Sequence, residues 1–408
     1  MNTMERILRL MADRKASDVY LSPNAPALIK INGQCVPINA QVLPVEAPRN
    51  LLAEILRPDR IAELEKTGEL NMAFPLEGVG SFRISGMRQR GSYAAVIRYI
   101  SSDIPELGSL NLPSVLSELV MEKRGLILLV GSTGAGKSTT LASMIDHRNE
   151  NSIGHVLTIE DPIEYIFRNK KSVINQREVG TDTESLHTAL RNALRQAPDV
   201  ILIGEIRDRE TMSAAIAYAQ SGHLCMATMH ANNSYQALNR ILNFYPAEVR
   251  PTMLGDLGAA LRAIVSQRLL RTLAGKRVPA AEVMLNTKLV SELIEQGDFS
   301  GVKEAMENSI AEGSQTFEED IARLIRAGTV ERKEGLAHAD SASNLIWRLQ
   351  NDETRGVRAQ EADEEPASEE PSFTEITLDV VRPTGFGNTG FGRTGFGQTG
   401  FGSEFGRP

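Results

Sequence analysis

The stretch LILLVGSTGAGKSTTLASMIDHR, Leu126 to Arg148, decides the fold class. Five apolar residues, a Gly-rich turn and a helix-compatible run read as a buried strand, a phosphate-binding loop and a helix opening onto that loop. Backbone N–H groups of the turn and the positive end of the helix dipole converge there on anionic oxygens, as a nucleoside triphosphate requires. Gly131, Gly136, Lys137 and Ser138 satisfy the G-x4-G-K-[ST] pattern, so the segment Ser132, Thr133, Gly134, Ala135, Gly136, Lys137, Ser138 and Thr139 is expected to bind ATP. Lys137 would reach the β/γ-phosphates and Ser138 would ligate Mg²⁺. The bland alternative is a Gly-rich turn joining two elements; the strand before the pattern and the helix after it weigh against a chance match.

Outward from this stretch, residues 114–285 alternate apolar runs (LILLV, HVLTI, VILIG, LCMAT) with helical patterns. In SLHTALRNALRQ, Leu186, Ala189, Leu190, Ala193 and Leu194 fall on one face. Continuous apolar strands between amphipathic helices predict an α/β sheet covered on both faces. Residues 1–100 read as a small α+β domain: Ile7, Leu8 and Met11 at helical spacing, short apolar runs broken by Pro23, Pro26 and Gly33, a second helical stretch NLLAEILRPDRIAELEK, and strands at FRISG and YAAVIRYI. Residues 101–113, rich in Ser, Gly and Pro, read as a linker. Residues 286–350 read as a small helical bundle built on Leu289, Leu293, Ile294, Phe317, Ile321, Leu324 and Ile325.

At 408 residues the chain exceeds the roughly 250–300 that one hydrophobic core sustains, so several domains are expected. The net charge of −8 is concentrated between 352 and 379, which leaves residues 1–351 near −2. A near-neutral body offers no global field to attract nucleic acid. Residues 351–408 form an acidic tail ending in four copies of TGFG-x, Thr384 to Ser403, a composition that predicts disorder. Cys35 and Cys225 form no C-x-x-C pair, which argues against a disulfide framework or thiolate zinc site and fits a reducing cytoplasm. The opening MNTMERILRLMADRKAS predicts no signal peptide, and no run approaches the roughly 18 apolar residues of a membrane span. No direct membrane insertion is expected.

Hydrolysis requires more than a phosphate loop. LTIEDPIEY sets Glu160, Asp161 and Glu164 just after an apolar strand, and DVILIGEIRD sets Glu205 after another. Ligands collect at such strand ends in open α/β sheets, so Glu205 is the candidate for activating or orienting water. SGHLCMATMHA places His223 and His230 on either side of a further strand. His230 would lie nearest the site, where it could sense a γ-phosphate; either histidine could instead be structural. The strand between them argues against a shared metal.

GSTGAGKS, TIEDPIEY, ALRQAPDVILIGEIRDRET and SGHLCMATMHANN resemble, in order, the Walker A, Asp box, Walker B and His box of the secretion and type IV pilus ATPases. The resemblance covers about residues 1–350 and is narrower to the PilT/PilU retraction group, on its PilU side. It implies a PAS-like N-terminal domain, a RecA-like P-loop ATPase core, a helical C-terminal subdomain, and a homo-hexamer with ATP and Mg²⁺ at domain and subunit boundaries. By that resemblance Lys137 and Ser138 match the Walker A pair, Glu160 and Glu164 the Asp box, Glu205 Walker B, and His223 and His230 the His box, with Glu160 joining Ser138 at Mg²⁺. FRISGMRQRGSYAAVIR resembles the segment that supplies arginine fingers, which makes Arg83 and Arg98 candidates and Arg88 and Arg90 weaker ones.

The implied function is a cytoplasmic ATPase, peripheral at the inner membrane, that powers or assists type IV pilus retraction by driving an inner-membrane platform protein. PilU-like proteins typically assist a PilT-type paralogue, so the alternative is an accessory subunit with little activity alone. A DNA-handling motor is the remaining rival, disfavoured by the near-neutral body.

Overall fold

The computed structural model describes residues 1–31, 34–100, 103–309 and 311–351, all within one compact unit that spans Met1–Glu353. The acidic stretch and the TGFG repeats lie outside the described residues.

The chain opens with α1 (Thr3–Asp13), capped by the Asn2 side chain, which buries Met4, Leu8 and Met11. Ile7, expected on that face, only packs at its margin. Strands β1 (Asp18–Leu21), β2 (Pro26–Ile31) and β3 (Gln34–Val42) follow. The stretch expected as one helix is two, α2 (Ala47–Ala53) and α3 (Pro58–Thr67). Pro58 is the cause: it lacks an N–H and obstructs the preceding turn, yet its fixed φ suits the first turn of a new helix. Strands β4 (Glu69–Leu76), β5 (Gly80–Gln89) and β6 (Ser92–Ile100) complete an antiparallel sheet ordered β3-β2-β1-β6-β5-β4. Val19, Leu21, Phe82, Ile84 and Ile97 form its core with the helices. The period of two along a strand sends their neighbours Asp18, Arg83 and Arg98 to the other face.

After the short α4 (Val115–Leu119) comes β7 (Gly125–Val130), buried at all six positions. The order then runs α5 (Lys137–Asn151), β8 (Gly154–Glu160), β9 (Ser172–Glu178), α6 (Leu186–Ala193), β10 (Val200–Ile203), α7 (Arg209–Gln220), β11 (Leu224–Met229), α8 (Ser234–Asn243), α9 (Arg250–Ala260), β12 (Leu261–Arg271) and β13 (Arg277–Leu285). The seven-stranded sheet is ordered β13-β12-β7-β11-β10-β8-β9, parallel from β12 to β9 and antiparallel at the β12/β13 edge. One hydrophobic core lies on each face. The four apolar runs read from sequence are β7, β8, β10 and β11; β9, β12 and β13 carry polar residues among the apolar ones and escaped that reading. Leu194, expected in the helical face, is 44% exposed, because a 3-10 turn over Leu194–Gln196 rotates it off that face.

The helices after 286 do not make one bundle. α10 (Lys288–Gln296) and α11 (Phe299–Glu307) bury Val290, Ile294, Phe299 and Val302 in the main sheet's core, and this choice of face leaves Leu289 55% exposed. α12 (Phe317–Arg326) and α13 (Arg332–His338) belong instead to a small separate core of Phe317, Ile321 and Leu324 with Leu270, Val278, Leu345 and Leu349.

Candidate functional site

The loop between β7 and α5 is shaped by its glycines. Gly136 has φ +91°, and a Cβ there would stand 2.7 Å from Gln267 Nε2. Beneath the loop, Gln267 of β12 accepts a hydrogen bond from Thr140 Oγ1 at 2.7 Å. Gln267 therefore forms a polar floor that fixes both the loop and the first turn of α5. Its only sequence signal is a polar pair, Ser266–Gln267, inside an apolar strand.

Lys137 Nζ donates to the loop's own carbonyls, Gly131 O at 2.8 Å and Ser132 O at 2.9 Å. Burial lowers its pKa, against the opposing pull of Glu205 and Glu164. A partly desolvated cation hydrogen-bonded to its own loop's carbonyls suits an arriving polyphosphate, so the loop fits the triphosphate.

A cavity of about 280 Å³ opens above the loop, at the C-terminal ends of β8, β10 and β11. Thr133, Gly134, Lys137 and Ser138 line one side; Glu160, Glu164, Glu205, Arg207 and His230 line the others. Glu160 Oε1 accepts from Thr158 Oγ1 at 2.7 Å and from Gln176 Nε2 at 3.3 Å. Burial nevertheless pushes the Glu160 carboxyl up to about 7. Glu205 is engaged on both oxygens: Oε1 lies 3.1 Å from His230 Nε2, and Oε2 lies 2.6 Å from an Arg207 terminal nitrogen. Arg207, which also lies 3.8 Å from Asp161, was not singled out from sequence, although it stands only two residues beyond Glu205. Ser138 and Glu160 provide one hydroxyl and one carboxylate, a donor set that fits Mg²⁺, which takes few protein ligands and completes its shell with water and phosphate.

Ser132, Ala135, Gly136 and Thr139 build the loop without lining the cavity. Thr139 shares a 2.8 Å hydrogen bond with the Tyr165 hydroxyl on the facing wall. His223 is a correction: it precedes β11, whereas His230 follows it. Six strand residues at about 3.3 Å each put roughly 20 Å between them. His223 sits instead with Ser221 Oγ, 3.1 Å from Nδ1, and Tyr218 O.

Arg83 and Arg98 do not line the main cavity. They face an adjoining one of about 240 Å³ that shares Pro162, Glu164 and Tyr165 with it. Arg88 is occupied elsewhere, over the Tyr93 ring and on Glu65 O, and Arg90 forms the β5/β6 turn. Among the described residues, no helix is long and apolar enough to cross a membrane.

The sequence profile of the type II/IV secretion system proteins matches residues 3–333. The type IV pilus ATPase PilU of Pseudomonas aeruginosa is 42% identical over 374 residues, covering 89% of this chain and 98% of that relative. PilT of the same organism, named as a type IV pilus retraction ATPase, is 34% identical over 339 residues, covering 83% and 98%. A crystal structure of the pilus retraction motor PilT with bound ADP is similar with a TM-score of 0.78 at 36% identity, over 84% of this chain and 98% of that one.

Proposed function

We infer the function of this chain from its family: it belongs to the type II/IV secretion system protein family, within the PilT/PilU group and with higher identity to PilU than to PilT. It is an ATPase, and we propose that it serves type IV pilus retraction and twitching motility as a ring of six subunits. In this reading the antiparallel sheet with α1 to α3 is a PAS-like domain over residues 1–100, joined through 101–113 to a RecA-like core over 114–285 and a C-terminal subdomain over 286–350. ATP binding and hydrolysis would shift these domains against neighbouring subunits and so drive a platform protein in the inner membrane.

The observation that carries the reading is the gathering of Lys137, Glu160, Glu205 and His230 around one cleft from four separate segments. Lys137 meets the β- and γ-phosphates, its cation then set against anionic oxygens rather than its own loop's carbonyls. Glu205 orients the attacking water and accepts its proton, with Arg207 and His230 fixing the carboxylate from either side. Ser138 and Glu160 would hold Mg²⁺, which when bound offsets charge on the transferred phosphoryl group. Arg83 and Arg98, on the adjoining cavity, would approach the phosphates when the domains close.

Steady-state ATP hydrolysis by the full chain, with and without a PilT-type partner and beside Lys137→Ala and Glu205→Gln, tests this. Activity alone that both substitutions abolish supports an autonomous motor. Activity only with the partner, still reduced by both, supports the accessory role toward which the greater identity to PilU leans. No hydrolysis under either condition would overturn the reading.

A further inference from the structure

The face of the N-terminal sheet turned away from its helices carries a row of charge. Lys30 on β2, Asp18 on β1, Arg98 on β6 and Arg83 on β5 are successive cross-strand partners. Their side chains leave one face at adjacent positions, so a single carboxylate stands among three cations. Asp18 is the buried member, 4% exposed. Arg98 Nε donates to its Oδ1 at 2.9 Å, and Ser17 Oγ donates to Oδ2 at 2.8 Å. The Arg98 side chain is otherwise 64% exposed.

Attachment through Nε matters. It leaves the two terminal nitrogens of the guanidinium, the fork that grips a phosphate in parallel hydrogen bonds, without a partner among the described residues. The Arg83 side chain, directly opposite, has no hydrogen bond or ion pair among those residues. Both arginines border the cavity that meets the nucleotide cleft at Pro162, Glu164 and Tyr165. Burying a carboxylate costs solvation that an apolar residue would not incur, so sheet stability alone does not explain Asp18. Holding an arginine in advance does, because less rotamer freedom is then lost when phosphate arrives.

We propose that Asp18 is a positioning residue for ATP hydrolysis, whose carboxylate anchors Arg98 through Nε and presents the free end of its guanidinium to the nucleotide phosphates. Arg83 has no such anchor among the described residues. This rests on reading the cleft as the ATPase site and Arg98 as a residue that meets the phosphates.

The test is a double-mutant cycle in the full chain, with the partner motor present if activity needs it. Asp18→Ala is expected to lower kcat about tenfold with KM for ATP within twofold. Asp18→Asn, which keeps an oxygen acceptor for Nε, should recover to within about threefold of the parent. In an Arg98→Gln background, Asp18→Ala should change kcat by less than twofold. An equal loss from Asp18→Ala with and without Arg98 would overturn the proposal, since Asp18 would then support only the sheet. So would a normal rate in Asp18→Ala beside a strongly impaired Arg98→Gln. A normal rate in Arg98→Gln would instead sink the reading of Arg98 on which the proposal stands. Circular dichroism and native mass on each variant separate these outcomes from failure to fold or assemble, and Arg98→Lys provides the background if Arg98→Gln does not fold.

Discussion

His230 Nε2 lies 3.1 Å from Glu205 Oε1, across the C-terminal ends of the neighbouring parallel strands β11 and β10. In the proposed mechanism His230 would feel the terminal phosphate and Glu205 would take a proton from water, so this contact would link nucleotide state to the base. Glu205→Gln keeps the shape and removes the proton acceptor. It is expected to lower kcat by about 10²–10⁴-fold while nucleotide affinity stays within a few-fold. Single-turnover hydrolysis beside binding of a fluorescent ATP analogue checks this; a variant that lost affinity and rate together would place Glu205 in binding instead.

Arg207 holds the other oxygen of Glu205, with its own side chain 62% exposed. Ion pairs this exposed contribute about 1 kcal/mol or less to stability. Arg207→Gln should therefore leave the unfolding midpoint almost unchanged. If the guanidinium aims the carboxylate, hydrolysis falls about 10- to 100-fold, the scale of a small misplacement near reacting atoms. A faster rate would show that Arg207 restrains Glu205 rather than aims it.

What the sequence disclosed follows from distance along the chain. The phosphate loop was legible because its strand, glycines, Lys137 and helix are contiguous. Glu160, Glu205 and His230 were legible because each follows an apolar run that ends at the same sheet edge. His223 flanks the same strand as His230 but at its other end, and the parallel order β7-β11-β10-β8 turns that end away from the cleft. Gln267 gave no more than a polar pair with Ser266 as a local sign, since its partners Thr140 and Gly136 lie more than a hundred residues earlier, and Asp18 and Arg98 meet only through sheet register.

Glu160 makes the stability of the nucleotide-free protein pH-dependent. Its folded pKa is raised from 4.5 to about 7, chiefly by burial. Between those values the folded state retains a proton that the unfolded chain releases, so stability falls as pH rises through that window. The deficit is complete above about pH 7 and amounts to about 3–4 kcal/mol. Glu160→Gln stays neutral. It should unfold at higher urea than the parent at pH 8, with the gap closing towards pH 4.5, while Mg²⁺-dependent nucleotide binding weakens. Parallel unfolding curves with one constant gap across that range would sink the assignment.

Gln267 separates stability from function in one cycle. The Thr140 hydroxyl donates to its side-chain oxygen, and its Nε2 faces Gly136 beneath the phosphate loop. Gln267→Leu leaves a buried hydroxyl without its acceptor, a loss of about 1–3 kcal/mol by urea unfolding. Adding Thr140→Val removes the orphan and should recover most of that stability, because replacing both partners of a buried hydrogen bond by apolar groups is close to neutral. Nucleotide affinity should not recover with it. The loop's conformation depends on the polar floor under Gly136, which neither apolar side chain restores, so titration calorimetry with ADP should find the double variant stable but weak. A double variant that regained affinity along with stability would reduce Gln267 to a packing residue.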